Sequence, residues 1–297
     1  MTEAPLRTAW TQSVAKGATP DSDALRGHLR QIHHDHAGFT ERCAGQCRDA
    51  QGRTTYDWLV EAINIDSHRS VLDLGCGSGA LLALCHARLP TNTRLAGLDM
   101  SRDELALAAA RLPEGRAELS EGCAQSLDPF ADASVDVVLC HWALTLMDPV
   151  APVLSEIARV LAPGGRFAAL VDGPMDSAPG YEAVHHLIYA HVQRELPAYG
   201  RVDLGDPRVR RAADLLRLAE AAFPNATPYC EPNVVSLTGP SEEVARQAAG
   251  FFYATFVLSP PAMAEMLREL IRLLERQADS KTVTFSMPVN RLLVTLG

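Results

Sequence analysis

Between residues 56 and 173 the apolar positions keep two spacings in alternation. Short apolar runs fall at about 71–74, 94–98, 117–120, 135–140 and 166–171, and segments of helical period fall at 56–65, 102–112 and 149–161. Runs of four to six residues alternating with helical segments predict βαβ units on a parallel sheet. The pattern then loosens. A helix is expected over 181–195, another over 207–223, and a strand within 227–237. A helix starts at Pro240-Ser241, an aromatic stretch (Phe251, Phe252, Tyr253, Phe256) follows, and a helix over 261–277 leads to a closing strand pattern at 283–287 and 290–296. At the other end, residues 1 to about 20 show no clear period and are expected to be mobile. Asp21-Ser22-Asp23 then caps a helix carrying Leu25, Leu29 and Ile32 on one face. The organisation expected is a tail and helical cap (1–55), an α/β core (56–173), a cap insertion (174–206), a core helix and strand (207–239), a helical lid (240–281) and a last core strand (282–297).

The chemistry concentrates where the first run ends, in Val71-Leu72-Asp73-Leu74-Gly75-Cys76-Gly77-Ser78-Gly79. Strand, glycine turn and helix in succession let a ligand lie against backbone that carries no Cβ, with the N–H groups of the helix's first turn facing it. Asp99 ends the second run, where a carboxylate accepts from ribose hydroxyls. The glycine spacing is G-x-G-x-G, whereas a nicotinamide dinucleotide calls for G-x-G-x-x-G. A nucleoside ligand other than NAD is therefore expected.

The stretch VLDLGCGSG (71–79) resembles the first motif of the class I S-adenosylmethionine-dependent methyltransferases. Asp99 matches the acid after their second strand, SVDVVLCHWAL (134–144) their fourth strand, and EIARVLAPGGRFAAL (156–170) their helix, Pro-Gly-Gly turn and fifth strand. The resemblance implies a Rossmann-like α/β fold: a seven-stranded sheet, mostly parallel with an antiparallel last strand, plus helical cap insertions. It implies S-adenosylmethionine as cofactor, with Gly75, Cys76, Gly77 and Asp99 holding it and Met100 against the adenine face. Many relatives carry Asp where this chain has Cys123, so the Cys123-Ala124-Gln125 segment is expected to meet the base instead. N-terminal segments fold over the cofactor in the family, which makes Arg42 a partner for the methionyl carboxylate and Tyr56 a lid. His141, at the end of the fourth strand, either takes a proton, for which an unperturbed imidazole is suited, or positions the ligand.

Composition narrows the partners. The net charge is −9, which opposes nucleic acid, because neutralising phosphates needs a basic face. No apolar run is long enough to span a membrane, and Met1-Thr2-Glu3-Ala4-Pro5 lacks signal-peptide character. The seven cysteines are odd in number and irregularly spaced, as free thiols in a reducing, cytoplasmic compartment would be. His33-His34-Asp35-His36 with Cys43 and Cys47 matches no zinc spacing, so no metal is expected. The expected acceptor is a small, partly apolar molecule in a closed pocket roofed by the cap segments, and the chain is expected to be a monomer or homodimer. A protein methyltransferase and a non-catalytic cofactor-binding module of the same fold are the alternatives.

Overall fold

The computed structural model describes residues 5–278 and 282–297. Residues 1–4 of the start noted above, and the last residues of the expected lid (279–281), lie outside the described residues. The chain divides into two compact units. Of the described residues, the first comprises those within 1–52, 175–203 and 234–288, and the second 53–174, 204–233 and 289–297.

The second unit holds most of the sheet. Its elements begin with α4 (Thr55–Val60), β1 (Ser70–Leu74), α5 (Ala80–Arg88), β2 (Arg94–Asp99), α6 (Arg102–Arg111), β3 (Ala117–Glu121) and β4 (Val135–His141). They continue with α7 (Val150–Val160), β5 (Leu161–Asp172) and α9 (Ala212–Ala222). Strands β6 (Tyr229–Gly239) and β7 (Val283–Thr295) complete a seven-stranded sheet of order β3-β2-β1-β4-β5-β7-β6. β1 pairs in parallel with β2 and β4, β2 with β3, and β4 with β5, whereas β7 runs antiparallel to β5. The strand order reverses between β1 and β4. That is the topological switch point, and the crevice beyond the carboxyl ends of these strands is where open α/β sheets bind ligands. One sheet face is closed by α7 and α9, which bury Val153, Leu154, Ile157, Leu215 and Ala219 against Leu72, Leu74, Val138 and Phe167.

The expected helix over 56–65 is shorter than its pattern. α4 starts at a capping box in which Thr54 and Asp57 exchange bonds, and it ends at Val60. The Asn64 side chain takes the Asp66 N–H at 3.0 Å, a local bond that competes with helix. Likewise 207–223 breaks in two: Asp206 caps a short 3₁₀ turn (Pro207–Arg210), Arg211 is extended, and α9 follows. Pro163-Gly164-Gly165 does not itself end the helix. α7 stops at Val160, and the three residues lie within β5, with Gly164 at φ +74 and a register shift opposite Val135–Val137.

The first unit is built on α1 (Ala9–Ala15), α2 (Ser22–Asp35), α3 (Phe39–Ala44), α8 (Tyr181–Glu195), α10 (Ser241–Ala249) and α11 (Pro260–Arg276). The expectation of a mobile tail through residue 20 is corrected by α1. Thr8 and Thr11 form a capping box, and Trp10 stacks on His28 with centroids 4.7 Å apart. Trp10 and Val14 share a helix face and are buried, so one turn of apolar spacing sufficed to anchor the segment. Among the described residues no helix is long and apolar enough to cross a membrane.

Candidate functional site

The glycine turn is held by the end of the neighbouring strand. Gly75 and Cys76 both donate backbone N–H to the Leu98 carbonyl, at 2.8 and 3.1 Å. Gly75, Gly77 and Gly79 have φ of +70, +49 and +76, the left-handed region that L side chains avoid. Their surroundings differ. A Cβ on Gly75 would stand 2.4 Å from Ala143 Cβ, and one on Gly79 2.8 Å from Ala108 Cβ. One on Gly77 would meet only Glu104 Oε2, at 3.8 Å. The outer glycines are required by packing, and the middle one leaves its face open.

Asp99 closes this cradle. Its Oδ2 accepts the Gly77 N–H and its Oδ1 the Ser101 N–H, each at 2.8 Å. Its carbonyl accepts the Gly122 N–H at 2.9 Å. Gly77, Asp99, Met100 and the Cys123–Gln125 segment are thereby brought to one end of the sheet. Met100, Cys123 and Gln125 are half-buried there and Ala124 is buried. The Gln125 amide reaches the Pro149 carbonyl only at 3.5 Å, a weak bond that a ligand can displace. Arg42 belongs to the other unit, exposed on α3, with its guanidinium donating to the Ala37 carbonyl at 3.1 Å.

His141 ends β4 across the switch point. Its Nε2 shares a 2.8 Å hydrogen bond with the Thr55 hydroxyl, and its ring stacks on Tyr56 with centroids 4.0 Å apart. Thr55 is wholly buried. Burial pushes the His141 pKa down to about 3, so the ring is neutral at pH 7. The unperturbed imidazole expected from sequence is therefore not what this environment provides. Trp142 follows with φ +58, unusual for an aromatic residue, its N–H donating to the Leu170 carbonyl at 2.9 Å. That turn directs the chain into Ala143, which abuts Gly75.

Asp73 was missed as a site residue, although an acid inside an apolar strand was the signal. It is 1% exposed, and among the described residues neither carboxylate oxygen has a hydrogen-bond partner. Burial, with the Asp99 charge added, pushes its pKa up to about 8. Thr55 was missed too, since nothing in its neighbourhood marks it as a partner of His141. No cluster of three or more His, Cys, Asp or Glu capable of holding a metal occurs among the described residues. His33 Nε2 instead bonds the Tyr253 hydroxyl at 3.0 Å, and burial pushes the thiols of Cys43 and Cys47 up to about 11 and 12.

Residues 72–169 match the family model described as a methyltransferase domain. A ubiquinone/menaquinone biosynthesis C-methyltransferase from Desulfotalea psychrophila is 32% identical over 136 residues, 46% of this chain and 53% of that protein. A demethylmenaquinone methyltransferase from Listeria welshimeri is 28% identical over 145 residues, 48% of this chain and 59% of that protein. The chain thus spans somewhat over half the length of these curated relatives. In fold it is similar to the cyclase SpnF (TM-score 0.58, 17% identity, 99% of each chain). It is also similar to the YcgJ protein of Bacillus subtilis (TM-score 0.55, 16% identity, 81% of this chain and 97% of that one).

Proposed function

We propose that this chain, which carries in residues 72–169 a domain of the class I S-adenosylmethionine-dependent methyltransferase family, binds S-adenosylmethionine on its glycine turn and transfers the methyl group to an O, N or C nucleophile of a small molecule. The observation that carries the reading is the cradle at the switch point. The open face of Gly77, tied through its own N–H to Asp99, lies inside the segment that matches the family. The residues fit the cofactor. Asp99 ends β2 with its carboxylate on the Gly77 N–H, where a carboxylate can accept from ribose hydroxyls. Asp73 is a buried carboxyl without a hydrogen-bond partner among the described residues, beside a turn that would receive a cation.

When bound, S-adenosylmethionine supplies a methyl group on a sulfonium leaving group. The protein's task is to orient the reactants and exclude water. In this reading His141 is a positioning residue. A ring with its pKa pushed down to about 3 is too weak a base to take a proton near neutral pH. Its bond to Thr55 and its stack on Tyr56 fix the start of α4 beside the end of β4. The acceptor accordingly loses its proton to solvent or presents a carbon or neutral amine nucleophile. The relatives named for quinone methylation motivate including carbon nucleophiles.

A second reading has its own observation. The cyclase SpnF shares the fold over nearly all of both chains, and its name denotes a reaction other than methyl transfer. The fold by itself therefore does not fix the reaction. Turnover of methyl-labelled cofactor against a panel of small acceptors, quinols and phenols included, separates the two. Transfer of label supports the methyltransferase reading. Tight cofactor binding with no transfer to any acceptor, protein extracts included, favours a cofactor-holding module.

A further inference from the structure

We infer that Asp73 holds a proton while the glycine turn is empty and releases it to solvent when a positively charged cofactor seats there, so that the site favours the charged cofactor over its neutral-sulfur product. The inference rests on the cofactor reading above and extends it to the charge selectivity of the site.

The geometry separates two acids near one end of the sheet, on neighbouring strands. Asp99 has two backbone N–H groups on its carboxylate. Asp73 sits one strand over, between Gly97 of β2 and Leu139 of β4 in register, 1% exposed and with no donor to either oxygen among the described residues. The ionisable groups around it are Asp99 from β2, Cys85 from α5, Cys140 from β4 and Cys76 from the turn, and Glu104 of α6 faces the same Cys76. All of these are acids. The nearby arginines act on Cys85 and are engaged elsewhere: Arg88 is paired with Asp57, and Arg116 donates to His86 Nδ1 and to the Thr93 carbonyl.

A buried carboxyl with no hydrogen-bond donor and a carboxylate nearby favours its protonated form, and its pKa of about 8 agrees with that. A positive charge arriving within a few ångströms reverses the balance, because an opposite charge favours the ionised form most strongly where water is excluded. Asp73 need not touch the ligand for this. The proton passes from the carboxyl to buffer, and the carboxylate left behind compensates the sulfonium. After methyl transfer the sulfur is a neutral thioether. The compensation is lost and the carboxyl takes its proton back, which weakens product binding.

Isothermal titration calorimetry in buffers of different ionisation enthalpy reads the proton directly. The titrations use the full chain and its Asp73→Asn variant, with S-adenosylmethionine and with the demethylated thioether. At pH 7 the wild type should release close to one proton per S-adenosylmethionine bound, and only a small fraction for the thioether. In the Asn variant the release should vanish, which also subtracts any proton exchanged by the ligand's own amino group. Wild-type affinity for S-adenosylmethionine should rise toward tenfold between pH 6 and 7, whereas the variant's should stay flat. In the wild type alone, infrared difference spectra should show a protonated-carboxyl stretch lost on binding, so the test survives a variant that fails to fold. Binding with buffer-independent heat, or an unchanged carboxyl band, overturns this inference and leaves the cofactor reading standing. Absence of any binding by the wild type overturns both.

Discussion

Gly75→Ala and Gly77→Ala make a matched pair, because the two glycines share a backbone conformation and differ in what surrounds them. At Gly75 the new methyl would stand 2.4 Å from Ala143 Cβ at φ +70. The left-handed conformation costs an L residue about 1–2 kcal/mol, and forcing a methyl into filled space costs about 1–3 kcal/mol more. The expected loss of folding stability is therefore about 2–5 kcal/mol. At Gly77, with φ +49 and nothing nearer than Glu104 Oε2 at 3.8 Å, only the conformational part remains, about 1–2 kcal/mol. The same methyl stands on the face open to a ligand, so Gly77→Ala should lower affinity for S-adenosylmethionine by about tenfold or more, equivalent to about 1.4 kcal/mol. Urea denaturation followed by circular dichroism gives the first quantity, and calorimetric titration of the folded variant gives the second. Equal destabilisation by the two substitutions, or wild-type affinity in Gly77→Ala, would refute the division between a packing glycine and a ligand-facing one.

Further outcomes follow from the buried groups. His141 has its pKa lowered to about 3 from an ordinary 6.5. The unfolded chain therefore binds a proton that the folded one refuses, and stability should fall as pH drops from 6.5 toward 4, by about 1.4 kcal/mol per unit. His141→Gln should flatten that slope in urea titrations, and an unchanged slope would contradict a neutral, buried ring. Asp73 has the opposite sign. Its pKa is raised to about 8 from 3.8, so the empty protein should lose up to about 1.4 kcal/mol per unit as pH rises from 4 to 8. Asp73→Asn should be more stable than wild type at pH 7 by up to about 4 kcal/mol, and a less stable variant would contradict the assignment. Thr55→Val removes the partner of His141 Nε2 and should cost about 1–3 kcal/mol. It should also impair methyl transfer, which scintillation counting of labelled product measures; unchanged rate and stability would detach Thr55 from the site.

The core was legible because its signals are local. Short apolar runs and segments of period 3.6 separated by Gly and Pro marked β1 through β5, whereas the seven-stranded sheet with its antiparallel last strand came from the family resemblance. The glycine turn and Asp99 were legible for the same reason: unusual backbone needs unusual residues. What sequence could not give was the environment of each side chain. His141 looked like a base because an isolated imidazole is one, and only the packing of Thr55 and Tyr56 shows it neutral. Asp73 passed as one more residue of a strand because its isolation depends on β2, β4 and α5 arriving together. Trp10 and Val14 anchor α1 through a pair of contacts too short to register as a period. Side chains that act through tertiary neighbours leave no spacing to read.

The most direct measurement of the central claim is calorimetric titration of the purified chain with S-adenosylmethionine and, separately, with NAD. The glycine turn with Asp99 predicts one S-adenosylmethionine bound per chain and no heat from NAD. It also predicts that Asp99→Ala weakens the S-adenosylmethionine interaction by about 1.5–3 kcal/mol, the scale of hydrogen bonds to a charged group. Binding of NAD with none of S-adenosylmethionine, or S-adenosylmethionine affinity untouched by Asp99→Ala, would contradict it.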